Sequence, residues 1–147
     1  MFLLDTDHIV IVQQQTQPHY EHLIEQVRQY PKTDFYVSIV SFHEQVMGWN
    51  AYLSRAKKAA DVVRGYSKLG EMLANFCEAQ IAAFDQPAAE AFADLRKRRV
   101  RIGTMDLRIA AIALSRRMTV LTRNVGDFGK VPGLIVEDWT VPAGAGN

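Results

Sequence analysis

Short apolar runs alternate along this chain with longer segments in which apolar residues recur at helical spacing. The runs lie at 1–4, 35–38, 81–84, 118–121 and 134–136. Helical patterns follow from about His8, over 18–30, from Ser41, through a helix-rich middle, from Pro87 and over 106–117. Short apolar runs that turn abruptly polar are typical of strands buried on both faces. The alternation therefore predicts an α/β fold with a parallel sheet.

The helix predicted from Ser41 separates its apolar stripe from an acidic residue. Phe42, Val46 and Trp49 recur at spacings of four and then three residues, which places them on one face. Glu44 lies outside that stripe, so Trp49 is predicted to be a core residue and Glu44 to face elsewhere.

Four carboxylates stand at or just after the ends of predicted elements. Asp5 closes the first apolar run, Glu44 follows the second, and Asp127 follows the run at 118–121. Asp106 falls in the first turn of a predicted helix, for which Thr104 is the expected cap. Since ligand clefts of parallel sheets lie at the carboxyl ends of the strands, these acids are predicted to share one site.

Each acid also has a purely structural explanation. Ser41 and Glu44 fit a capping box, Asp106 could complement a helix dipole, and Asp127 could belong to a turn. Asp5 is harder to explain in that way, because an acid buried at a strand end is costly unless it is paired, hydrogen-bonded or bound to a metal.

Four segments resemble, in order, the PIN-domain ribonucleases of the VapC type, which are toxins of type II toxin–antitoxin systems. They are LLDTDH, VSIVSFHEQVMGW, IGTMDLRIAAIAL and TVLTRNVGDFGKVPGLIVEDW, and they extend over residues 1–139. The resemblance implies a three-layer α/β/α fold with a central parallel sheet and a metal-dependent endonuclease acting on RNA. It also implies a VapB-type antitoxin that covers the cleft, and a homodimer.

The resemblance carries over to individual residues. The acidic positions of the family correspond to Asp5, Glu44, Asp106 and Asp127, and its polar support after the fourth strand corresponds to Thr122 and Asn124. One departure is Asp7, because such toxins usually carry asparagine there. Asp7 could join the site, but the favoured expectation is that it caps the helix beginning near His8.

The donor atoms predict the metal. Carboxylate oxygens suit Mg²⁺ or Mn²⁺, and the histidines and the single cysteine show no zinc-binding spacing. Asp5 and Asp106 are expected to hold the principal ion, and Glu44 and Asp127 to bind it through water or to bind a second ion.

Charge is distributed unevenly along the chain. The net charge is +1, yet residues 94–130 contain ten Lys or Arg against three acids, and residues 1–93 contain seven against eleven. A basic segment beside an acidic centre suits binding of the RNA backbone. Arg101, Arg108 and Arg123 are the candidate RNA-binding residues, whereas the run 96–99 alone is more simply a solvated helix end.

A single domain is expected over 1–141, followed by a flexible tail at 142–147. The single Cys77 is predicted to be a small buried residue and argues against a disulfide framework. No signal-like or membrane-spanning segment is recognisable, so a cytoplasmic protein is expected. The apolar residues of 49–84 exceed what a thin layer buries, and they are predicted to form the dimer contact.

Two other functions fit parts of the sequence. The D-x-D pattern of Asp5 and Asp7 also resembles the start of a haloacid-dehalogenase-like phosphatase, but Gly126-Asp127 lacks the paired acid which that class needs. The domain could instead be a catalytically silent module that binds RNA or a protein. The presence of all four acids argues against such a degenerate site.

Overall fold

A computed structural model describes residues 1–145 and contains one parallel five-stranded sheet with helices on both sides. The strands are β1 (Phe2–Leu4), β2 (Phe35–Ser38), β3 (Ile81–Ala82), β4 (Thr119–Leu121) and β5 (Val136–Glu137). Their order in the sheet is β3-β2-β1-β4-β5, and Leu3 on the central strand pairs with Tyr36 and Val120. The predicted three-layer α/β/α fold is confirmed.

Seven α-helices connect and cover these strands within residues 1–145. They are α1 (Thr6–Gln14), α2 (His19–Val27), α3 (Ile39–Arg55), α4 (Ala59–Glu78), α5 (Gln86–Lys97), α6 (Thr104–Arg116) and α7 (Val125–Phe128). A short 3₁₀ turn at Lys32–Asp34 precedes β2. Every helix predicted from periodicity is present, although several begin earlier than predicted.

Two helix caps differ from the prediction, and in the first case the helix follows its strand β2 without a connecting loop. α3 begins at Ile39, and Ser38 caps it by accepting a hydrogen bond from the backbone N–H of Ser41 at 2.9 Å. The alternative explanation of Glu44, as part of a capping box with Ser41, is therefore wrong. α6 begins at Thr104 itself, so the predicted Thr104 cap is also wrong and Gly103 occupies the cap position.

Helix α6 lies at the centre of the main core. Ile109, Ala110, Ala111, Ile112 and Ala113 are all fully buried between the sheet and α5. Consecutive burial is expected of a helix that is apolar all round, and the alanines allow its neighbours to approach closely. This packing holds the first turn of α6, which carries Asp106, at the edge of the sheet.

Helices α3 and α4 pack against each other on the other side of the molecule. A Cβ atom at Gly65 would overlap the side chain of Leu53, so a larger residue there would displace Leu53 or separate the two helices. Trp49 is half-buried against the cluster containing Met72 and Phe76, in agreement with its predicted core position. The prediction of a buried Cys77 is wrong, because this residue is exposed.

The C-terminal segment is described as far as Ala145, whose N–H bonds the carbonyl of Pro142 in a turn at 3.1 Å. The rest of the predicted tail, residues 146 and 147, lies outside the described residues. Over residues 1–145, none of the helices combines the length and the apolar character needed to cross a membrane.

Candidate active site

Asp5 lies at the junction between β1 and α1 and is only 6% exposed. Its backbone N–H bonds Leu121 on the neighbouring strand at 2.9 Å, which fixes the junction to the sheet. Its side chain caps α1 by accepting the N–H of Thr6 at 2.8 Å, and it accepts the hydroxyl of Thr122 at 2.8 Å. Both carboxylate oxygens are therefore held in place.

Thr122 follows β4 and is fully buried beneath this carboxylate. Its hydroxyl donates to Asp5 and accepts the backbone N–H of Asn124 at 3.0 Å. The predicted support residue thus links the ends of β1 and β4 and shapes the turn that leads to α7.

Asp7 does not cap α1, and this expectation is corrected. It lies in the first turn, where one oxygen accepts the N–H of Arg123 at 2.9 Å and the other contacts His8 Nδ1 at 2.8 Å. Burial favours the neutral form of Asp7, but contact with the His8 ring and the Arg123 hydrogen bond outweigh this and lower its pKa. Asp7 therefore carries a negative charge beside Asp5.

His8 was not identified from the sequence as part of this region. It is fully buried, and its Nε2 accepts the N–H of Trp139 at 3.4 Å while Nδ1 donates to Asp7. The ring thereby connects the first acidic turn to the segment after β5. The available signal was a histidine placed directly before the apolar run Ile9-Val10-Ile11.

Asp106 is electrostatically coupled to the other acids. Burial raises its pKa most, and the charges of Glu44, Asp127 and Asp7 raise it further. Glu44, on α3, is half-buried and accepts the hydroxyl of Thr6 at 3.0 Å. α1, α3, α6 and α7 therefore bring their acidic residues to one edge of the sheet.

The pKa of Asp5 is raised to about 7. Desolvation is the largest cause, the charge of Asp7 is the next, and the charge of Asp106 adds to it. The hydrogen bonds from Thr122 and Thr6 oppose the shift because they favour the carboxylate. Burial and the neighbouring acidic charges both disfavour the Asp5 carboxylate, and a bound cation would stabilise it against both.

Asp127 is half-buried, and its side chain is 41% exposed. It pairs with Lys130 at 3.0 Å and accepts the side-chain amide of Asn124 at 3.2 Å. These two contacts lower its pKa, so it is ionised at neutral pH. Asn124, the second predicted support residue, therefore acts on Asp127, whereas Thr122 acts on Asp5.

The donor chemistry fits a hard divalent cation, because all the candidate ligands are carboxylate oxygens. Within residues 1–145, no three acids, histidines or cysteines are already grouped closely enough to hold an ion. Glu44 and Asp127 are instead engaged with Thr6, Asn124 and Lys130. Direct coordination would require these two acids to exchange those hydrogen bonds for the ion.

The three arginines proposed for RNA binding lie in different surroundings. Arg101 lines a cleft of about 780 Å³ that Asp127 also lines. Arg108 is half-buried, with its guanidinium carbon 6.0 Å from the centroid of the Phe92 ring. Arg123 is exposed, and its backbone rather than its side chain contacts Asp7.

Several curated proteins are similar in sequence to this chain. The tRNA(fMet)-specific endonuclease VapC of Salmonella typhimurium is 29% identical over 103 residues, which cover 70% of this chain and 74% of that protein. Ribonuclease VapC1 of Rickettsia felis is 49% identical over 43 residues, which cover 29% of this chain and 32% of that protein. No protein-family model matches.

Solved structures are similar in fold. FitAcB from Neisseria gonorrhoeae has a TM-score of 0.67 and 24% identity, with 95% of this chain and 98% of that chain covered. DNA-bound VapBC from Salmonella typhimurium has a TM-score of 0.67 and 22% identity, with 94% and 97% covered. Sequence similarity and fold together confirm the resemblance of this chain to the PIN-domain ribonucleases of the VapC type.

Proposed function

We propose that this chain is a metal-dependent RNA endonuclease and the toxin of a VapBC-type pair. The observation that carries the proposal is the convergence of Asp5, Glu44, Asp106 and Asp127 at one edge of the sheet. Burial and the charges of Asp7 and Asp106 raise the pKa of Asp5 to about 7, and burial with the charges of Glu44, Asp127 and Asp7 raises that of Asp106. Its similarity to proteins named as VapC ribonucleases supports the choice of RNA as substrate.

Asp5 and Asp106 would hold Mg²⁺ or Mn²⁺, with Glu44 and Asp127 binding through water or to a second ion. A bound cation of this kind supplies a Lewis acid that lowers the pKa of water and thereby makes it a nucleophile toward phosphorus. Thr6 and Thr122 keep the Asp5 carboxylate in one orientation. Since the pKa of Asp5 is about 7, a large fraction of this carboxyl is protonated at neutral pH. Binding of a cation would displace that proton.

The direct test compares RNA cleavage by wild type and Asp106→Asn, with Mg²⁺, with Mn²⁺ and with EDTA. Asp94→Asn is the matched control, because Asp94 is an exposed acid in the same basic segment and pairs with Arg98 on α5. Cleavage should require the divalent ion, persist in the control and disappear in Asp106→Asn. New ends should carry 5′-phosphate and 3′-hydroxyl groups, since water and not the 2′-hydroxyl attacks.

Products ending in a 2′,3′-cyclic phosphate would refute the mechanism. Unchanged RNA affinity without divalent ions, together with no cleavage of any RNA, would favour the silent binding module instead. Trapping by beryllofluoride would favour the phosphatase, because that compound mimics an aspartyl-phosphate.

The class of RNA is to be found by inducing wild type and Asp106→Asn in a bacterial host and mapping new RNA ends. The name of the Salmonella relative makes tRNA(fMet) the first candidate to examine. Growth arrest and new RNA ends should both occur with wild type and vanish in the variant. The RNA species that carry the new ends would show whether the target is transfer, ribosomal or messenger RNA.

A VapB-type antitoxin is the proposed partner, consistent with the VapBC complexes among the similar structures. Because the site is rich in carboxylates, a partner Arg or Lys that enters it would compete with the metal for the same oxygens. A homodimer is proposed through α4, where Val63, Tyr66 and Leu73 are 65%, 62% and 54% exposed.

A further inference from the structure

A basic cleft adjoins the acidic site. Its lining includes Asp127 and three arginines, Arg96, Arg99 and Arg101. Its volume of about 780 Å³ lies in the upper part of the range found for ligand clefts. An anionic ligand in this cleft would therefore reach Asp127, one of the four proposed catalytic acids.

The charges of these arginines are not neutralised by acidic neighbours. Two nearby arginines are paired, Arg98 with Asp94 at 3.0 Å and Arg116 with Asp85 at 2.9 Å. No carboxylate lies within ion-pair distance of Arg96, Arg99 or Arg101 anywhere in the part of the chain that the structure describes. Three positive charges lining one cleft produce a field that favours a polyanion.

Phe92 positions one of these arginines without consuming its hydrogen-bond donors. The guanidinium carbon of Arg96 lies 5.7 Å from the centroid of the Phe92 ring, and that of Arg108 lies 6.0 Å away. The ring is itself fixed by an edge-to-face contact with Phe84 at 6.1 Å. A cation–π contact orients a guanidinium while leaving its N–H groups free for bidentate binding of phosphate.

The backbone between α5 and α6 places the other two arginines. Arg99 adopts the left-handed conformation with φ of 57°, where glycine is the usual residue. Its N–H bonds the carbonyl of Arg96 at 3.0 Å, and the N–H of Val100 bonds that of Leu95 at 3.2 Å. These two hydrogen bonds hold the turn. Arg99 therefore places a long, positively charged side chain at a position where glycine would adopt the backbone conformation more readily.

We propose that this cleft binds the phosphate backbone of a single-stranded RNA segment next to the bond that is cut. Arg96, Arg99 and Arg101 contact phosphates, and Phe92 is a positioning residue for Arg96. The inference rests on the proposed RNA cleavage and adds the path of the substrate. A concave cleft with guanidinium groups and an aromatic ring suits a single strand better than the shallow groove of an RNA duplex.

The test measures binding of a short, fluorescein-labelled, single-stranded RNA to the full chain carrying Asp106→Asn, so that cleavage does not interfere. The triple variant Arg96→Gln, Arg99→Gln and Arg101→Gln is compared with Arg98→Gln. The latter is the matched control, because Arg98 lies in the same turn but is paired with Asp94 and does not line the cleft.

The triple variant should bind about tenfold or more weakly at physiological salt, with a similar loss for RNAs of different sequence. The slope of log affinity against log salt should fall by about 2, since each phosphate contact on a single strand contributes about 0.7. The control should retain both affinity and slope. An unchanged slope in the triple variant, or an equal loss in the control, would overturn the assignment.

Phe92 is tested by exchange with leucine and with tyrosine. Phe92→Leu keeps an apolar side chain but removes the ring, so RNA affinity should fall several-fold. Phe92→Tyr keeps the ring and should restore the affinity. The salt slope should fall by about 0.7 only in Phe92→Leu, because loss of one phosphate contact changes the slope and loss of core packing alone does not. Equal affinities in the two variants would remove Phe92 from the proposal.

The experiments distinguish failure of the proposed RNA-binding cleft from failure of the proposed nuclease activity. If wild type cuts RNA but the arginine variants keep their KM and salt slope, the cleft assignment is wrong and the nuclease stands. If no RNA is cut but the cleft variants lose binding, the nuclease is wrong and the RNA-binding cleft stands. Competition by polyglutamate as strong as that by RNA would assign the cleft to an acidic polypeptide.

Discussion

Replacing Asp5 with asparagine should change how the stability of the fold depends on pH. The pKa of Asp5 is about 7 in the fold, against an ordinary value of 3.8. Below about pH 4 both the folded and the unfolded chain are protonated at this group, so it contributes no penalty. As pH rises toward 7, the unfolded chain ionises first, and stability is lost because the fold disfavours the carboxylate.

The size of the effect follows from the pKa shift. At about 1.36 kcal/mol per pH unit, the full penalty above pH 7 is about 4 kcal/mol, and about 2 to 3 kcal/mol of it develops between about pH 5 and about pH 8. An asparagine keeps an oxygen to accept the N–H of Thr6. Its amide can donate to the oxygen of Thr122, whose hydroxyl can turn to Asp7, 3.3 Å away. Little hydrogen bonding is lost.

The assay is urea unfolding followed by circular dichroism, with EDTA present, near pH 5 and near pH 8. Between these conditions wild type should lose about 2 to 3 kcal/mol more unfolding free energy than Asp5→Asn. Asp94→Asn serves as control, because Asp94 is exposed on α5 and should follow wild type. Parallel pH dependence in wild type and Asp5→Asn would refute the claim that repulsion and burial strain this acid.

Three further outcomes are expected. Mg²⁺ near pH 8 should raise the melting temperature of wild type and have little effect on Asp5→Asn or Asp106→Asn, because a cation stabilises only the fold that binds it; equal rises measured by scanning fluorimetry in all three would argue against the site. Thr122→Val removes a hydrogen bond that lowers the pKa of Asp5, so urea unfolding should show a loss of about 1 to 3 kcal/mol, and Thr122→Ser should recover most of it; equal losses in the two variants would show that the hydroxyl is not involved. Tyr66→Glu on the exposed face of α4 should convert a dimer to a monomer at micromolar concentration by light scattering, with the exposed Lys58→Glu as control; a monomeric wild type would contradict the proposed dimer.

Much of the fold was predictable because strand and helix patterns are local. The run at 35–38 became β2 with the predicted bounds, and the pattern over 106–117 became most of α6. The errors lie mostly at element ends, where several nearby polar groups compete to cap the same free backbone N–H groups. Ser38 rather than Ser41 caps α3, since the helix follows β2 directly and the hydroxyl of Ser38 is the first to reach a free N–H.

The exposure of a single residue was less predictable at the border between the buried and the exposed face of a helix. Met72 and Phe76 lie four residues apart on the buried face of α4. Cys77 is one residue further, which rotates it about 100° around the helix and out of the core. Composition favoured a buried cysteine, but the periodicity of its own helix decided its exposure.

The sequence by itself determined the order of strands and helices along the chain, because that order follows from local periodicity. It also determined the placing of four acids at or just after element ends, and the common direction of parallel strands then brings such ends to one edge of the sheet. Only the tertiary structure decided which groups meet. Asp5 and Thr122 are separated by 117 positions, and Thr6 and Glu44 by 38, yet each pair shares a hydrogen bond. The raised pKa of Asp5 and the binding of Asp7 to the Arg123 N–H depend on such distant neighbours, since desolvation and Coulomb interactions act through space and leave no pattern along the chain.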